Sequence, residues 1–496
     1  MNSKNLSRTI VIAWATATVI FGSLAAFAKS QPKQDLLIKF APGMEEVATL
    51  GLENLGSKVE FVSEGLARVQ GTFSQNDLAD LSKSEYVQYI QPNYKVFLLD
   101  TTYQVKDKLR RAAIVRYLNS KGYRPTATVP DNPVIPDLTA EKTGADPLFS
   151  KQWGMNAIGA TAAWVTTLGN PEVTVAVIDT GVDYTHEDLK GNMWRNQGEV
   201  GKDASGNDKS TNGIDDDNNG FVDDVVGWDF LGKDNKPYDL ATSNVNELLN
   251  GGNPGHGTHC AGNVAAKGGN AVGISGVAPN VKVMALRFIG NEGGTTADAV
   301  KAIHYAVDNG AKVLSNSWGS EGDDPADQAS NLALREAVAY AEQKGVLFIA
   351  AAGNGHSGKG YDNDTDAKPG VPASYDHANI ISVAAIDVAD KLGSFSNWGK
   401  KSVDLAAPGV NVFSTTVGSK YNDKVINFAG FVISWDGTSM ATPHVAGAAA
   451  LYWSAHPEKT YAQVKEAILS SAKRIPALEN KMVSNGKLDV QALLKY

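Results

Sequence analysis

The chain has 496 residues, of which 43% are hydrophobic and 20% are charged, and its formal net charge is −9. This length is enough for two or three domains with sizeable cores, and the acidic balance argues against a nucleic-acid binder. Its single cysteine, Cys260, cannot form an internal disulfide, so stability has to come from core packing or from bound ions.

A targeting signal is predicted at the N-terminus. Lys4 and Arg8 precede an apolar run that ends in the Ala-Phe-Ala sequence at 26–28. These features are typical of a secretory signal peptide, so we expect residues 1–28 to be removed and the protein to be secreted. The alternative is an uncleaved membrane anchor, because the run is nearly long enough to span a bilayer. No other apolar stretch is long enough to span a bilayer, so we expect no membrane association after cleavage.

Residues 29–99 predict a small α+β domain. Strand and helix patterns follow in the order β-α-β-β-α-β, which is the ferredoxin-like arrangement. The second helix is expected to begin at a capping box of Ser74 and Asp77, and the last strand to cover the sequence YVQYIQPNYKVFLL. Residues 100–145 show no clear period and carry many Pro, Lys, Arg and Thr residues, which predicts a linker or an N-terminal extension.

A larger α/β domain is predicted over residues 146–496. Helical spacing at 295–309 and 327–344 separates near-continuous apolar runs, which are typical of strands buried on both faces. These runs cover residues 173–179, 281–289, 311–318, 346–354 and 379–387. The fold class is therefore α/β, with a doubly wound, mainly parallel sheet flanked by helices and preceded by the small α+β domain. Residues 438–455 predict a buried central helix, because nearly every face is apolar or small.

Three polar side chains are expected at one edge of this sheet. Asp179 ends a buried strand, His256 opens a helix, and Ser439 lies at the entrance of the buried helix. In doubly wound sheets, ligands bind beyond the carboxyl ends of the strands. A serine hydroxyl needs a base, histidine supplies it, and a carboxylate fixes the tautomer of that histidine. Each residue alone has an ordinary structural explanation, but together they predict nucleophilic catalysis.

From residue 146 to residue 472 the sequence resembles the subtilisin-like serine peptidases. The motifs VIDTGVDYTHEDL, GHGTHCAG, GVAPNVKVMALR, LSNSWG, AAGN, FSNWG, APG and DGTSMATPHVAGAAAL occur in the order of that family. GHGTHCAG is closest to the proteinase K branch, and ADPLFSKQWG resembles the start of thermitase-like enzymes. The resemblance implies a subtilisin-like fold and a secreted serine endopeptidase acting on proteins and peptides.

The resemblance also implies the catalytic roles and the processing. Ser439 would be the nucleophile, His256 the general base and acid, and Asp179 its orienting partner. Asn354 would donate its side-chain amide to the oxyanion, beside the backbone N–H of Ser439. The 29–99 domain would be a propeptide that serves as intramolecular chaperone and inhibitor until the chain cuts itself near residue 99 or 100. We expect a monomer, because no interaction domain follows the catalytic one.

Substrate binding would use mainly the backbone. The segment Ser317-Trp318-Gly319 would pair with an extended peptide as an added strand and would wall the primary specificity pocket. The rest of the pocket would be formed by Ala352, Gly353 and Gly370. No acid is obvious at its base, so the prediction is a preference for apolar or aromatic side chains. Trp318 could equally be a core residue.

The acidic sequence NGIDDDNNGFVDD at 212–224 predicts a calcium site. Its D-x-D-x-N-G core is the start of an oxygen-cage calcium loop, and five clustered carboxylates repel one another unless a cation lies among them. Val226 replaces the closing glutamate of an EF-hand. The alternative is a solvated acidic turn. The expected ligands are Asp215, Asp217, Asn219, Phe221 through its carbonyl, Asp223 and Asp224.

A second calcium site is implied by the resemblance to thermitase-like enzymes. Asp146, Asp188 and Asn270 match the side-chain ligands, and the carbonyls of Val272 and Ile274 would complete the shell. Both ions would be structural, since they would clamp surface loops in a protein without disulfides.

Two other functions compete with this interpretation. One is cysteine or zinc chemistry at residues 256–260, where His256, His259 and Cys260 lie close in the sequence. The other is a calcium-dependent binding protein built on an inactive peptidase scaffold. We expect His259 to be structural and Cys260 to be a buried residue that catalysis does not need.

Overall fold

The computed structural model describes residues 33–99, 103–125, 144–321, 331–356 and 358–496. The predicted signal peptide lies outside the described residues. Two compact units are present: residues up to 94 form one together with 331–333, and the remaining residues from 95 onwards form the other. Among the described residues, no helix combines the length and the apolar character needed to cross a membrane.

The first unit has the predicted β-α-β-β-α-β order. Its elements are β1 (Gln34–Phe40), α1 (Glu45–Asn54), β2 (Lys58–Ser63), β3 (Leu66–Gly71), α2 (Gln75–Lys83) and β4 (Val87–Pro92). The sheet order is β2-β3-β1-β4, and β1 is antiparallel to both of its neighbours. The Ser74 hydroxyl accepts from the Asp77 N–H and the Asp77 carboxylate accepts from the Ser74 N–H, so the predicted capping box is present.

The sequence predicted one strand at the end of this unit, but the structure has two strands there. The first of them, β4, ends at Pro92. The next strand, β5 (Lys95–Leu98), belongs to the second unit and pairs with two short strands there.

Part of the predicted linker is helical. Asp107 accepts hydrogen bonds from the first turn of α3 (Lys108–Ser120) and so caps it. Ile114, Val115 and Leu118 of this helix pack into a small apolar cluster that also holds Val245. The sequence did not predict this helix, because its apolar face is narrow and most of its other residues are exposed.

A nine-stranded sheet organises the second unit. From residue 174 onwards the strands are β6 (Thr174–Asp179), β7 (Gly227–Asp229), β8 (Lys282–Arg287), β9 (Gly294–Thr295), β10 (Val313–Asn316), β11 (Trp318–Gly319), β12 (Leu347–Ala351), β13 (Ile380–Ile386), β14 (Leu405–Pro408), β15 (Ser414–Thr416), β16 (Lys420–Asn422), β17 (Lys424–Phe428), β18 (Phe431–Ser434), β19 (Lys473–Arg474) and β20 (Gly486–Lys487). The order in the sheet is β19-β20-β14-β13-β12-β10-β6-β8-β7, and only the β19–β20 pair is antiparallel.

Helices surround this sheet. They are α4 (Trp153–Ala157), α5 (Ala160–Ala163), α6 (Val245–Leu248), α7 (His256–Ala265), α8 (Thr296–Asp308), α9 (Leu332–Gln343), α10 (Thr438–Ala455), α11 (Tyr461–Ser471) and α12 (Val490–Leu493). The α-helices and strands predicted in this domain are all present, with ends that differ by a few residues, and strands β7, β14, β19 and β20 of the nine-stranded sheet are additional.

The core explains the near-continuous apolar strands. Val175 and Val177 of β6 pack with α7, α10 and α11 in one large cluster. Ala176 and Ile178, which alternate with them, are equally buried, so both faces of the sheet are covered. All but two residues of α10 are buried, which confirms the predicted central helix. The carboxyl ends of β6, β10 and β12 therefore meet the first turns of α7 and α10.

Candidate active site

Asp179 and His256 form a buried ion pair. Asp179 is the last residue of β6 and His256 the first of α7, and both side chains are fully buried. His256 Nδ1 lies 2.7 Å from Asp179 Oδ1, which also accepts the Thr180 N–H at 2.7 Å. Because Nδ1 donates to a carboxylate, the lone pair of the neutral ring is on Nε2, and Nε2 has no hydrogen-bond partner among the described residues. This is the arrangement required of an oriented base.

Electrostatics favour a protonated form of this histidine. Burial opposes the charged imidazolium, but Asp179 and Cys260 together outweigh it and raise the pKa of His256 well above its usual value. The ring can therefore hold a proton that it takes from a neighbouring group.

Ser439 is the second residue of α10 and is fully buried. Its hydroxyl donates to the Ser317 carbonyl at 3.1 Å. The hydroxyl therefore has to leave Ser317 before His256 can accept its proton. Because Ser439 lies in the first turn of a helix, its backbone N–H has no partner within that helix and can bind an anion.

Asn354 lies three residues after β12 and beside the start of α10. Its Oδ1 accepts from the N–H and the hydroxyl of Thr438, at 2.8 and 3.0 Å. These two donors fix the orientation of the amide, so the Nδ2 group faces the other way. That nitrogen is buried and has no partner among the described residues. A preset N–H donor next to a helix N-terminus can stabilise negative charge on a reacting oxygen.

The edge formed by residues 317–319 is covered by the chain itself. Strand β5 runs antiparallel to β11, with Leu98 opposite Trp318 and Phe97 opposite Gly319. On its other edge β5 pairs with β9, which makes a three-stranded sheet. An extended peptide therefore fits this edge, as the sequence led us to expect of a substrate.

The side chain of Trp318 belongs to the core. It is fully buried and meets the rings of Phe288 and Phe348 edge-on, at 5.0 and 6.3 Å between centroids. These contacts favour the core alternative for the indole. Only the backbone of Trp318 lies on the edge that pairs with β5, so the size of this side chain says nothing about the predicted primary pocket.

An acid that the sequence did not reveal lies beside the predicted pocket. Gly353 has a φ of +113°, and a Cβ added to it would lie 2.5 Å from Glu321 Oε1. That oxygen accepts the Gly355 N–H at 2.7 Å. Ala352 and Gly370 are buried nearby, and a Cβ on Gly370 would lie 2.6 Å from the Ala352 carbonyl. Glu321 Oε1 also accepts from the Asn397 amide at 3.3 Å, so protein donors hold this carboxylate, and the apolar preference of the pocket stays a prediction.

Cys260 lies one helical turn from His256. Its Sγ is 3.9 Å from His256 Nδ1 and 3.6 Å from the Ser439 carbonyl, and burial raises the pKa of the thiol. The atoms of Asp179, His256 and Cys260 are close enough to form a metal-binding group. However, two ligands of one tetrahedral zinc ion lie about 3.3 Å apart. The 2.7 Å contact between Asp179 and His256 is shorter than this and fits a hydrogen bond.

His259 has a structural environment. Its ring stacks on Trp435 at 4.2 Å between centroids, and its Nε2 lies 3.0 Å from the Val412 carbonyl. Burial lowers the pKa of His259 to about 3, so the ring is neutral. Because a carbonyl only accepts, Nε2 carries the proton.

The acidic loop gathers three carboxylates. Oxygens of Asp215, Asp217 and Glu199 lie within 4.8 Å of one another. Glu199 is fully buried, and its Oε2 has no hydrogen-bond partner among the described residues. Burial raises the pKa of Glu199. Such a buried, unpartnered oxygen beside two other carboxylates fits a divalent cation.

The other expected ligands of this loop are engaged differently. Asp223 accepts the Gly213 N–H at 3.2 Å, and the buried Asp224 accepts from Tyr305 and from the Asn196 amide. Asn219 donates to Asp224 at 3.0 Å. Phe221 packs its ring edge-on against Trp228 and Tyr305. Glu199 was missed because it lies thirteen residues before the acidic run, on a different turn.

The residues expected at the second calcium site also lie together. Asp188 accepts from the Asn270 amide and the Ile274 N–H, both at 2.8 Å. Asp146 accepts the Asn270 N–H at 3.1 Å, and the Val272 N–H donates to Asn270 Oδ1. Burial and the nearby Asp146 carboxylate raise the pKa of Asp188 to about 7. The carboxylates are thus gathered, but backbone N–H groups occupy them.

The fold and the site together are those of a serine endopeptidase. A parallel sheet delivers an Asp-His pair, a serine at a helix N-terminus and an asparagine amide to one edge. Residues 170–488 match the subtilase family, Peptidase_S8. Since this match covers more than half of the chain, the protein belongs to the subtilase family, and the predicted fold class and enzyme class are confirmed.

Curated relatives agree with this assignment. The chain is 36% identical over 335 residues to thermitase of Thermoactinomyces vulgaris, which is 67% of this chain and 92% of thermitase. It is 36% identical over 325 residues to a thermophilic serine proteinase of Bacillus sp. strain AK1, with 65% of this chain and 62% of that protein covered. It is 30% identical over 347 residues to the halolysin-like extracellular serine protease Nep of Natrialba magadii, with 70% and 52% covered.

A solved structure supports the fold. Fervidolysin from Fervidobacterium pennivorans, a keratinolytic enzyme related to subtilisin, superposes with a TM-score of 0.63 at 23% identity. The match covers 94% of this chain and 61% of fervidolysin. At this identity the likeness supports the architecture alone.

Proposed function

We propose that the protein is a secreted serine endopeptidase in which Ser439, His256 and Asp179 act as the catalytic triad. Ser439 attacks the scissile carbonyl while His256 takes its proton and later gives it to the leaving amine. Asp179 holds the imidazole and stabilises its charged form. Asn354 Nδ2 and the Ser439 N–H stabilise the tetrahedral oxyanion.

One observation carries this proposal. The Asp179–His256 hydrogen bond leaves Nε2 as a buried base without a partner, and Asn354 Nδ2 is likewise a buried donor without a partner among the described residues. Buried polar atoms are rarely left unsatisfied unless a substrate or a reacting group completes them. The inactive-scaffold alternative is disfavoured because all four residues are present.

Casein hydrolysis tests the proposal. Purified wild type and Ser439→Ala are compared, and a serine-directed covalent inhibitor counts the active sites. We expect the substitution to reduce kcat by several orders of magnitude and to abolish labelling. Ser471→Ala, on α11, is the matched control and should keep full activity. A Ser439→Ala enzyme with undiminished hydrolysis would eliminate the serine mechanism.

We further propose that the protein is made as a zymogen. Strand β5 lies on the edge that a substrate would use, and Leu98 and Leu99, at its end, are buried. Cleavage near Leu99 would leave β5 bound as a product and would account for inhibition by residues 29–99. N-terminal sequencing should find the mature start after residue 99 in wild type and an uncut chain in Ser439→Ala. A fully active enzyme with residues 29–99 still covalently attached would contradict the proposal.

Calcium is the proposed structural ion. Glu199, Asp215 and Asp217 would hold one ion, with the remaining expected ligands of the 212–224 loop close by. Asp146, Asp188 and Asn270 would hold a second one after the backbone N–H groups have turned away. An ion at each site would neutralise gathered carboxylates and hold loops that carry no disulfide.

Secretion and a monomeric state complete the proposal. The predicted signal peptide supports export, and the relative Nep is described as extracellular. Fractionation of expressing cells should place the mature enzyme outside the cell, and light scattering should give the mass of one chain. Retention of residues 1–28 in the active protein would favour the membrane-anchor alternative instead.

A further inference from the structure

Asp239 is a buried carboxylate next to the catalytic helix that the mechanism above does not use. It lies in the segment between β7 and α6, seventeen residues before His256, and its side chain is fully buried. Its Oδ2 accepts from Thr258 in the first turn of α7, and its Oδ1 accepts from Thr180 and Asn253. No cation pairs with Asp239 among the described residues, so its surroundings show how its charge is held.

Two threonines donate to this carboxylate. Thr258 Oγ1 accepts the Asp183 N–H at 2.9 Å, so its own proton is directed at Asp239 Oδ2, 2.7 Å away. The Thr258 N–H donates to the same oxygen at 2.9 Å. Thr180 Oγ1 accepts the Gly257 N–H at 2.9 Å, so its proton is directed at Asp239 Oδ1, 3.0 Å away.

Asn253 supplies the fourth donor. Its Oδ1 accepts from the N–H groups of Gly255 and His256, at 2.8 and 3.0 Å. This fixes the amide so that Nδ2 donates to Asp239 Oδ1 at 2.7 Å. The backbone of His256 is therefore linked to Asp239 through a single side chain.

Four donors converge on Asp239, and each of them directs its hydrogen at a carboxylate oxygen. Burial raises the pKa of Asp239 to about 6. The carboxyl group is therefore ionised at neutral and alkaline pH, and the ionised form can accept from all four donors. The N-cap of α7 is Gly255, which has no side chain to satisfy the first turn. Asp239 accepts the Thr258 N–H of this turn directly, and it also holds Asn253 and Thr180, which accept the N–H groups of His256 and Gly257. Its charge lies at the positive end of the helix dipole.

Most of the other titratable groups on the elements around His256 are neutral or paired with an opposite charge. Burial lowers the pKa of His259 to about 3 and that of His444 on α10 to about 4, so both rings are neutral. Burial raises the pKa of Cys260, so the thiol keeps its proton. The charge of Arg287 on β8 is matched by Asp229, 2.5 Å away. The remaining charges are the carboxylates Asp179, Asp183 and Asp239.

We propose that Asp239 is a positioning residue of the reaction: its carboxylate fixes the first turn of α7 and adds a second negative charge that stabilises the imidazolium of His256. The inference rests on the catalytic role proposed for His256. It separates into a geometric part, carried by the hydrogen bonds, and an electrostatic part, carried by the charge.

The pH profile of kcat/KM tests both parts. Asp239→Asn keeps the shape of the side chain and removes its negative charge. Two of the four donors then face the NH2 group of the new amide. We expect the acid limb of the profile, which reports His256 in the free enzyme, to move to lower pH by about half a unit or more. We also expect kcat to fall about tenfold while KM stays within about twofold, because the base is displaced and the substrate edge is not. Active sites are counted by covalent labelling.

A second pair of variants isolates the geometry. Thr258→Ala removes one donor and keeps the charge, so kcat should fall while the acid limb stays in place. Thr258→Ser restores the hydroxyl and should restore kcat. Equal kcat in the two threonine variants would overturn the positioning role, and this comparison holds even if Asp239→Asn does not fold.

Asp404→Asn is the matched control for the charge. Asp404 is another buried carboxylate, but it lies at the start of β14 and pairs with Lys465 at 3.6 Å. Its removal should leave the acid limb where it is. An Asp239→Asn enzyme that labels normally and shows the wild-type profile would overturn the role of Asp239 and leave the proposed triad standing. A wild type that does not label at all would overturn the triad instead.

Discussion

The imidazole of His256 is held at one nitrogen and left open at the other. Asp179 holds Nδ1, and Nε2 has no partner among the described residues. Asn354 shows the same division, since Thr438 fixes its Oδ1 while its Nδ2 stays unsatisfied. A group fixed on one side and open on the other costs little reorganisation when the reaction begins.

The raised pKa of His256 predicts an alkaline enzyme. The base is active only when neutral, so kcat/KM should increase with pH and level off above the folded pKa, which lies well above 6.5. The pH dependence of kcat/KM on a short peptide substrate measures this. A profile already flat at pH 6 would show that the neighbours of the ring do not outweigh its burial.

Cys260 should not be needed for catalysis. Its thiol is buried and neutral and serves to fill space beneath His256. Cys260→Ala is expected to keep at least half of kcat/KM and to lose about 1 kcal/mol of unfolding free energy, because a small apolar volume is removed. A mercurial should inhibit wild type and not the variant. A folded Cys260→Ala enzyme without activity would make the thiol a catalytic group.

At the scale of elements, the close contact between α7 and the end of β6 brings Asp179 and His256 together. Gly257 follows His256, and a Cβ there would lie 2.1 Å from the Gly181 carbonyl and 3.1 Å from Asp179 Cβ. Only a glycine lets the helix come this near to the strand that carries Asp179.

Gly257→Ala should therefore separate the Asp-His pair. We expect a loss of several kcal/mol of unfolding free energy and of most of kcat, because the obstacle is rigid backbone. Thermal unfolding and active-site labelling measure the two effects. Gly430→Ala is the control: it has a φ of +79° and open space around it, so only about 1 kcal/mol of backbone strain is expected and activity should remain. Equal behaviour of the two variants would contradict the packing argument.

At the scale of the whole molecule, calcium should add stability without taking part in the chemistry. An ion that binds only the folded state stabilises it by about 2.7 kcal/mol at a hundredfold excess over its Kd. We expect a chelator to lower Tm and added calcium to restore it. Calorimetry measures the shift, and an unchanged Tm would eliminate the structural role.

Glu199→Gln should weaken this calcium dependence. The substitution removes the buried carboxylate that Asp215 and Asp217 approach, so more calcium should be needed for the same rise in Tm. Glu172→Gln, at an exposed position, should leave the dependence unchanged. An equal calcium response in both variants would place the ion elsewhere.

Much of the fold was predictable because it depends on local patterns. The apolar run around Val177 predicted a strand buried on both faces, and the small residues of α10 predicted a central helix. The helix α3 was not predicted, because its apolar face gains meaning only from the residues that it packs against. The end of β4 shows the same limit, since pairing partners decided where the following strand belongs.

The sequence alone determined the residue types and their order: Asp179, His256, Asn354 and Ser439, each at a strand end or a helix start. Chemistry restricts which residues can act as base and nucleophile, so the residue types predicted Asp179, His256 and Ser439 as a group, and the family resemblance added Asn354. The tertiary structure alone decided which distant groups meet them. Asp239, Glu199 and Glu321 carry no local motif, because their roles come from burial and from partners brought together only when the chain folds.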